Sequence, residues 1–118
     1  MTIKTENVVI ATRSNRKTAN STTPESQVVN AVKLWAKTKP DVYLVRVVQA
    51  GDSGVADFLM CMRGRFVAVE CKATGKKPRD LQIIHGIRAE NAGGTFLWGD
   101  TEALIPQLNE LYEGLKNG

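Results

Sequence analysis

Asp57, Glu70 and Lys72 sit on two short apolar runs, 56–62 and 65–72, parted only by Arg63-Gly64. Two such runs around a two-residue turn read as a β-hairpin. Pairing Met62 with Arg65 carries Asp57 to a position opposite Glu70. Directly opposed residues share a face, with Cβ atoms about 4.5–5.5 Å apart. Lys72, two residues beyond Glu70, shares that face because strand side chains alternate. A bulge at the Arg-Gly turn would shift this pairing by one residue. The Cys71 side chain then points the other way, as a small buried apolar group.

Two opposed acids destabilise a sheet unless one keeps its proton or a cation lies between them. Oxygen ligands alone favour Mg²⁺ or Mn²⁺ over zinc, and the Cys71 carbonyl offers one more oxygen. Two acids, a divalent ion and a neighbouring lysine suit phosphodiester hydrolysis. The ion polarises the phosphate and acidifies a bound water, and Lys72 holds that water or offsets developing charge. The plainer reading is a surface strand pair in which Lys72 only relieves Asp57 and Glu70.

The rest of the chain must position this cluster. Its 118 residues and 12.9 kDa fit one small domain, 23–118, behind a basic arm at 1–22. The arm is rich in Thr, Ser and Asn and carries Lys4, Arg13, Arg16 and Lys17, and its composition suits a mobile segment. With 42% apolar and 24% charged residues, collagen-like, coiled-coil and wholly disordered classes are excluded. No run reaches the roughly 18 apolar residues of a membrane span, so a soluble, intracellular protein without a membrane partner is expected. Cys61, Cys71 and His85 are too few for a disulfide framework, a cysteine zinc site or multi-imidazole chemistry. The net charge of +4 gathers in the middle of the chain, and from Asp100 onward acids outnumber bases. A basic middle fits a polyanionic partner or an ordinary solvated surface.

Thr23-Pro24 opens a helix over 24–37, with Thr as cap and Pro in the first turn. Its apolar face holds Val28, Val29, Val32, Trp35 and Ala36. Glu25 falls on that stripe and Leu34 falls off it. Residues 42–49 read as a strand, the hairpin follows, and Pro78 opens a second helix to Asn91. A short strand at 95–98 and a last helix complete an α-β-β-β-α-β-α order. Pro106 is expected to break that helix or set its first turn. The class is α/β, a mixed sheet flanked by helices.

Gly54-Val-Ala-Asp57-Phe, followed by Val67-Ala-Val-Glu70-Cys-Lys72, resembles the PD-(D/E)XK nuclease motif, with Ala56 where that motif often has proline. Glu25 on the opening helix, Gly54 ahead of the Asp, Gln82 on the next helix and Ala92-Gly93-Gly94 before a short strand resemble its virus-type replication-repair (VRR-NUC) branch. The resemblance covers Glu25 to Trp98 and implies a restriction-endonuclease-like core. It implies Asp57 and Glu70 as metal ligands, helped by the Cys71 carbonyl, with Lys72 beside the attacking water. Glu25 would reach the metal directly or through water, and Gln82 would steady the lysine or the phosphate. Stand-alone domains of this kind resemble structure-selective endonucleases that cut branched DNA, including four-way (Holliday) junctions. A phage-infected or bacterial cytoplasm fits that resemblance. A restriction-like or exonuclease activity of the same superfold, or a non-catalytic DNA-binding module, are the competing readings.

Lys76, Lys77 and Arg79 read as phosphate contacts or as a plain solvated loop. Arg46, inside an apolar strand, either approaches DNA or pairs with an acid. His85, Trp35 and Trp98 read as packing. Two symmetric cuts on a junction call for a homodimer. Its candidate surface is Leu34 with Leu108, Leu111, Tyr112 and Leu115, unless those residues are core.

Overall fold

The computed structural model describes residues 24–48 and 51–115, so the expected N-terminal arm, the Thr23 cap and Gln49 lie outside it. Three helices and four strands follow in the expected order: α1 (Glu25–Lys37), β1 (Val42–Arg46), β2 (Phe58–Met62), β3 (Arg65–Cys71), α2 (Asp80–Asn91), β4 (Thr95–Gly99) and α3 (Thr101–Gly114). The strands lie side by side in the order β1-β2-β3-β4. β1, β2 and β3 pair antiparallel, and β4 returns parallel to β3 after the α2 crossover. The fold is α/β with a mixed four-stranded sheet.

One face of the sheet makes the core. Phe58, Met60, Met62, Val67, Val69 and Cys71 pack there against Val28, Val32 and Trp35 of α1 and Leu104, Ile105 and Leu108 of α3. Trp35 also donates its Nε1–H to Asn109 Oδ1 at 2.8 Å, tying the two helices together. Leu111, Tyr112 and Leu115 pack against the same core. The expected α3 dimer surface is therefore core, since its apolar stripe is spent on α1 and the sheet; Leu34 alone of that set stays exposed.

Several boundaries shift from the sequence reading. Pro24 is the N-cap of α1, and its carbonyl accepts from Gln27 and Val28. β1 stops at Arg46, because its partner β2 begins only at Phe58. One more bond, Val47 N–H to the Asp57 carbonyl at 2.7 Å, closes the ladder, and Val48 turns out to solvent. α2 begins at Asp80, with Pro78 two residues ahead of it. Pro106 neither breaks α3 nor sits in its first turn. Asp100 caps the helix by accepting from Ala103 N–H at 3.0 Å, and the helix runs through the exposed proline to Gly114.

The hairpin turn decides the site's register. Arg63 and Gly64 both have positive φ, 49° and 88°, the pattern of a type I′ turn. A left-handed arginine is unfavourable by itself, and here its side chain compensates. Nε donates to Asp41 Oδ2 at 2.7 Å, Nη1 donates to the Tyr112 and Leu115 carbonyls at 2.9 and 2.8 Å, and the guanidinium lies over the Tyr112 ring. The Tyr112 hydroxyl bonds Asp41 Oδ1 at 2.7 Å. That hydroxyl, and then Arg63, hold the Asp41 carboxyl below its usual range. Met62 consequently pairs with Arg65 without a bulge.

Candidate active site

With that register, Phe58 pairs with Val69, and Asp57, one residue ahead of β2, comes beside Glu70. Val67, Val69 and Cys71 face the core, so Ala68 and Glu70 face α2. The two acids interlock through the main chain. Asp57 N–H donates to Glu70 Oε1 at 3.2 Å, and Cys71 N–H donates to Asp57 Oδ2 at 2.8 Å. Lys72 Nζ lies 3.1 Å from Glu70 Oε2. Gln82 Nε2 donates to the same oxygen at 2.6 Å, while its Oε1 accepts from Arg79 N–H at 2.8 Å at the start of α2. One amide thus caps a helix and orients a carboxylate.

Glu70 is only 2% exposed, and Lys72 and Gln82 are buried beside it. Burial, and then the Asp57 charge, push the Glu70 carboxyl up, with Lys72 opposing. The Cys71 thiol is pushed up by burial and by the charges of Asp57, Glu70 and Glu25, so it is no nucleophile at neutral pH. Glu25 itself is exposed in the first turn of α1, although its place on the helical stripe points inward, because burial in α1 begins only at Val28. Its charge still acts on Cys71, on the strand that carries Glu70.

Arg46 does pair with an acid. Its Nη1 lies 3.6 Å from Asp57 Oδ1 and donates to the Asp57 carbonyl at 3.3 Å. Lys76, Lys77 and Arg79 are exposed on the loop between β3 and α2. Lys76 and Lys77 line an open cleft of about 480 Å³ with Ala73, Trp98 and Gln107. Trp98, expected in the core, is 39% exposed there and stands opposite Glu70 in the parallel register. Thr95 to Trp98 is apolar almost throughout, so no alternation in the sequence marks which side chains face the site. His85 is half-buried, near Gly54.

The donor set suits a hard divalent cation. Two carboxylates held together, one of them disfavoured as an anion by the other, gain from a cation between them. Among the described residues no group of three or more His, Cys, Asp or Glu could hold a metal. No family model matches the chain, and no curated protein or solved structure matches it.

Proposed function

We propose that this protein is a divalent-metal-dependent endodeoxyribonuclease with a PD-(D/E)XK core of the VRR-NUC type, acting on branched DNA such as four-way junctions. The observation that carries the reading is the buried Glu70, shared by Lys72 and Gln82 on one oxygen and by the Asp57 main chain on the other. Burying a charged acid beside a second acid is costly for folding. A purely structural strand pair would gain more from apolar residues at these places.

Asp57, Glu70 and the Cys71 carbonyl would hold Mg²⁺ or Mn²⁺, with Glu25 reaching it directly or through water. When bound, the ion supplies polarisation of the phosphate and a water of lowered pKa. Lys72 has Glu70 on one side and further N–H donors for that water or a phosphate oxygen. Gln82 keeps the Glu70 carboxylate turned toward the site. Lys76, Lys77 and Arg79 would contact backbone phosphates, and neutralising any one of them should lower the salt slope of binding to duplex DNA by about 0.9.

The deciding experiment is cleavage of labelled linear, flap and four-way DNA with Mg²⁺ or Mn²⁺. The wild-type chain should cut four-way DNA with either ion and not in EDTA. Asp57→Asn, Glu70→Ala and Lys72→Met should bind DNA and not cut it. Full cleavage by Glu70→Ala would refute the site. Tight binding without cleavage under any ion would instead identify a DNA-binding module. Preference for linear ends would point to the exonuclease reading.

A further inference from the structure

The two tryptophans are held in opposite ways. Trp35 is 2% exposed and spends its Nε1–H on Asn109, as suits a packing residue. Trp98 is 39% exposed on β4, a strand at the edge of the sheet. It pairs with Glu70 across the parallel ladder, so the two side chains share a face on strands about 4.8 Å apart. Two residues earlier on β4, Phe96 lies on that same face and is covered by α2, where Gly86 leaves no room for a Cβ above its ring. The inward residue one turn before Gly86 is Gln82, and it turns to Glu70. The indole beside Glu70 is therefore left open.

The cleft of about 480 Å³ that Trp98 lines has two cationic walls, Lys76 and Lys77. Its other polar side chains are already committed: Asp100 caps α3, and Gln107 donates to the Trp98 carbonyl. Neither lysine is paired with an acid among the described residues. A flat aromatic face with free ammonium groups around it suits a nucleotide, whose base stacks on the ring and whose phosphates meet the cations. An apolar peptide side chain would leave both ammonium groups unused. In a continuous duplex the base faces are hidden in the stack, and turning one out is costly, least so where the base is already unpaired. A single-stranded arm, a flap or a branch point presents such a face without that cost.

We propose that Trp98 is a stacking platform for an unpaired nucleobase, set next to the phosphate that Glu70 and Lys72 receive, with Lys76 and Lys77 on flanking phosphates. Trp98 is then the residue that separates branched from continuous duplex DNA. The proposal rests on the nuclease reading for what lies at Glu70, and stands apart from it for the base.

Trp35 is buried, so a change in tryptophan emission on adding DNA reports Trp98, and Trp98→Phe supplies the background. The full chain is titrated in EDTA with three DNAs: a duplex with a single-stranded thymidine arm, the same duplex with an abasic arm, and a fully paired duplex. The thymidine arm should quench the emission and bind about 10–100-fold more tightly than the other two. Trp98→Ala should bring the thymidine arm down to the abasic one, and Trp98→Phe should restore most of the difference. Equal binding and quenching by the thymidine and abasic arms overturns the proposal, as does a preference that survives Trp98→Ala. Absence of binding to all three also overturns it. The comparison of arms uses the wild-type chain, so it decides even where Trp98→Ala fails to fold. Thymidine-specific quenching without cleavage under Mg²⁺ or Mn²⁺ keeps the platform and removes the nuclease. Cleavage by a chain that binds both arms alike does the reverse.

Discussion

Replacing Gln82 by glutamate changes one atom in the tightest contact of the site. The new carboxyl can still accept from Arg79 N–H, so the start of α2 keeps its partner. Where Gln82 Nε2 donates to Glu70 Oε2 at 2.6 Å, however, an anion now faces an anion. Two unit charges about 4 Å apart repel by about 4 kcal/mol at an effective dielectric of about 20. Lys72, 3.1 Å from the same Glu70 oxygen, offsets part of this, which leaves a net loss of about 2 kcal/mol for Gln82→Glu near pH 8. As the pH falls, the pair takes up a proton, the hydrogen bond returns and the loss should shrink. The sign follows from linkage: a carboxyl pushed up in the folded state gives stability that is full below the unfolded value and is lost as pH rises through the folded one. Glu70 already behaves so in the wild type, and Gln82→Glu widens the window. Urea midpoints at pH 5 and pH 8, with the slope m held constant, measure the difference. Millimolar Mg²⁺ or Mn²⁺ should recover much of the pH 8 loss, because the variant presents three carboxylates. A destabilisation equal at both pH values would refute the electrostatic account. Absence of any recovery by divalent ions would count against the metal proposal.

Three further outcomes rest on separate features. Thr101 is 1% exposed, and its Oγ1 is the one buried side-chain polar atom without a hydrogen-bond partner among the described residues; Thr101→Val should raise stability by about 1 kcal/mol, and a loss on chemical denaturation would mean that the hydroxyl has a partner. Gly54→Ala should cost well over 1 kcal/mol, since a Cβ would come 2.7 Å from the Leu81 carbonyl at φ +89°, whereas Gly75→Ala, at φ +83° with open space around it, should cost about 1 kcal/mol; equal melting shifts would refute the steric argument. A thiol reagent at pH 8 should modify the exposed Cys61 quickly and Cys71 only at the rate of unfolding, so two equally fast thiols would contradict the buried placement of Cys71.

The hairpin was legible because an apolar run, a two-residue turn and a second apolar run leave few registers, and Arg63 removed the bulge alternative through partners more than twenty residues away in sequence. Such long-range partners leave no local trace. The end of β1 was illegible for a related reason: Val47 and Val48 have strand propensity, yet a strand lasts only as long as its neighbour, and β2 starts late. For α2 the helix itself was legible and its orientation was not. Helical period separates Leu81, Ile84 and Ile87 from Gln82 and Gly86, but only the sheet shows that the polar side turns inward. That inversion is what brings Gln82 onto Glu70. The Asp57–Glu70–Lys72 cluster followed from the hairpin register together with strand alternation, whereas the acid that pairs with Arg46 was visible only in the coordinates.

The Arg63 anchor also governs how freely the end of the chain can change. On α3 its donors reach the carbonyls of Tyr112 and Leu115, groups that every residue possesses. Replacing residues along the solvent side of that last turn leaves those acceptors where they are, provided the helix still ends at the same point. Shortening or lengthening α3 by a single residue rotates them by about 100° and takes them out of reach. The far end of the hairpin is therefore indifferent to the spelling of the last helix and sensitive to its length, so insertions and deletions there should be far more damaging than substitutions.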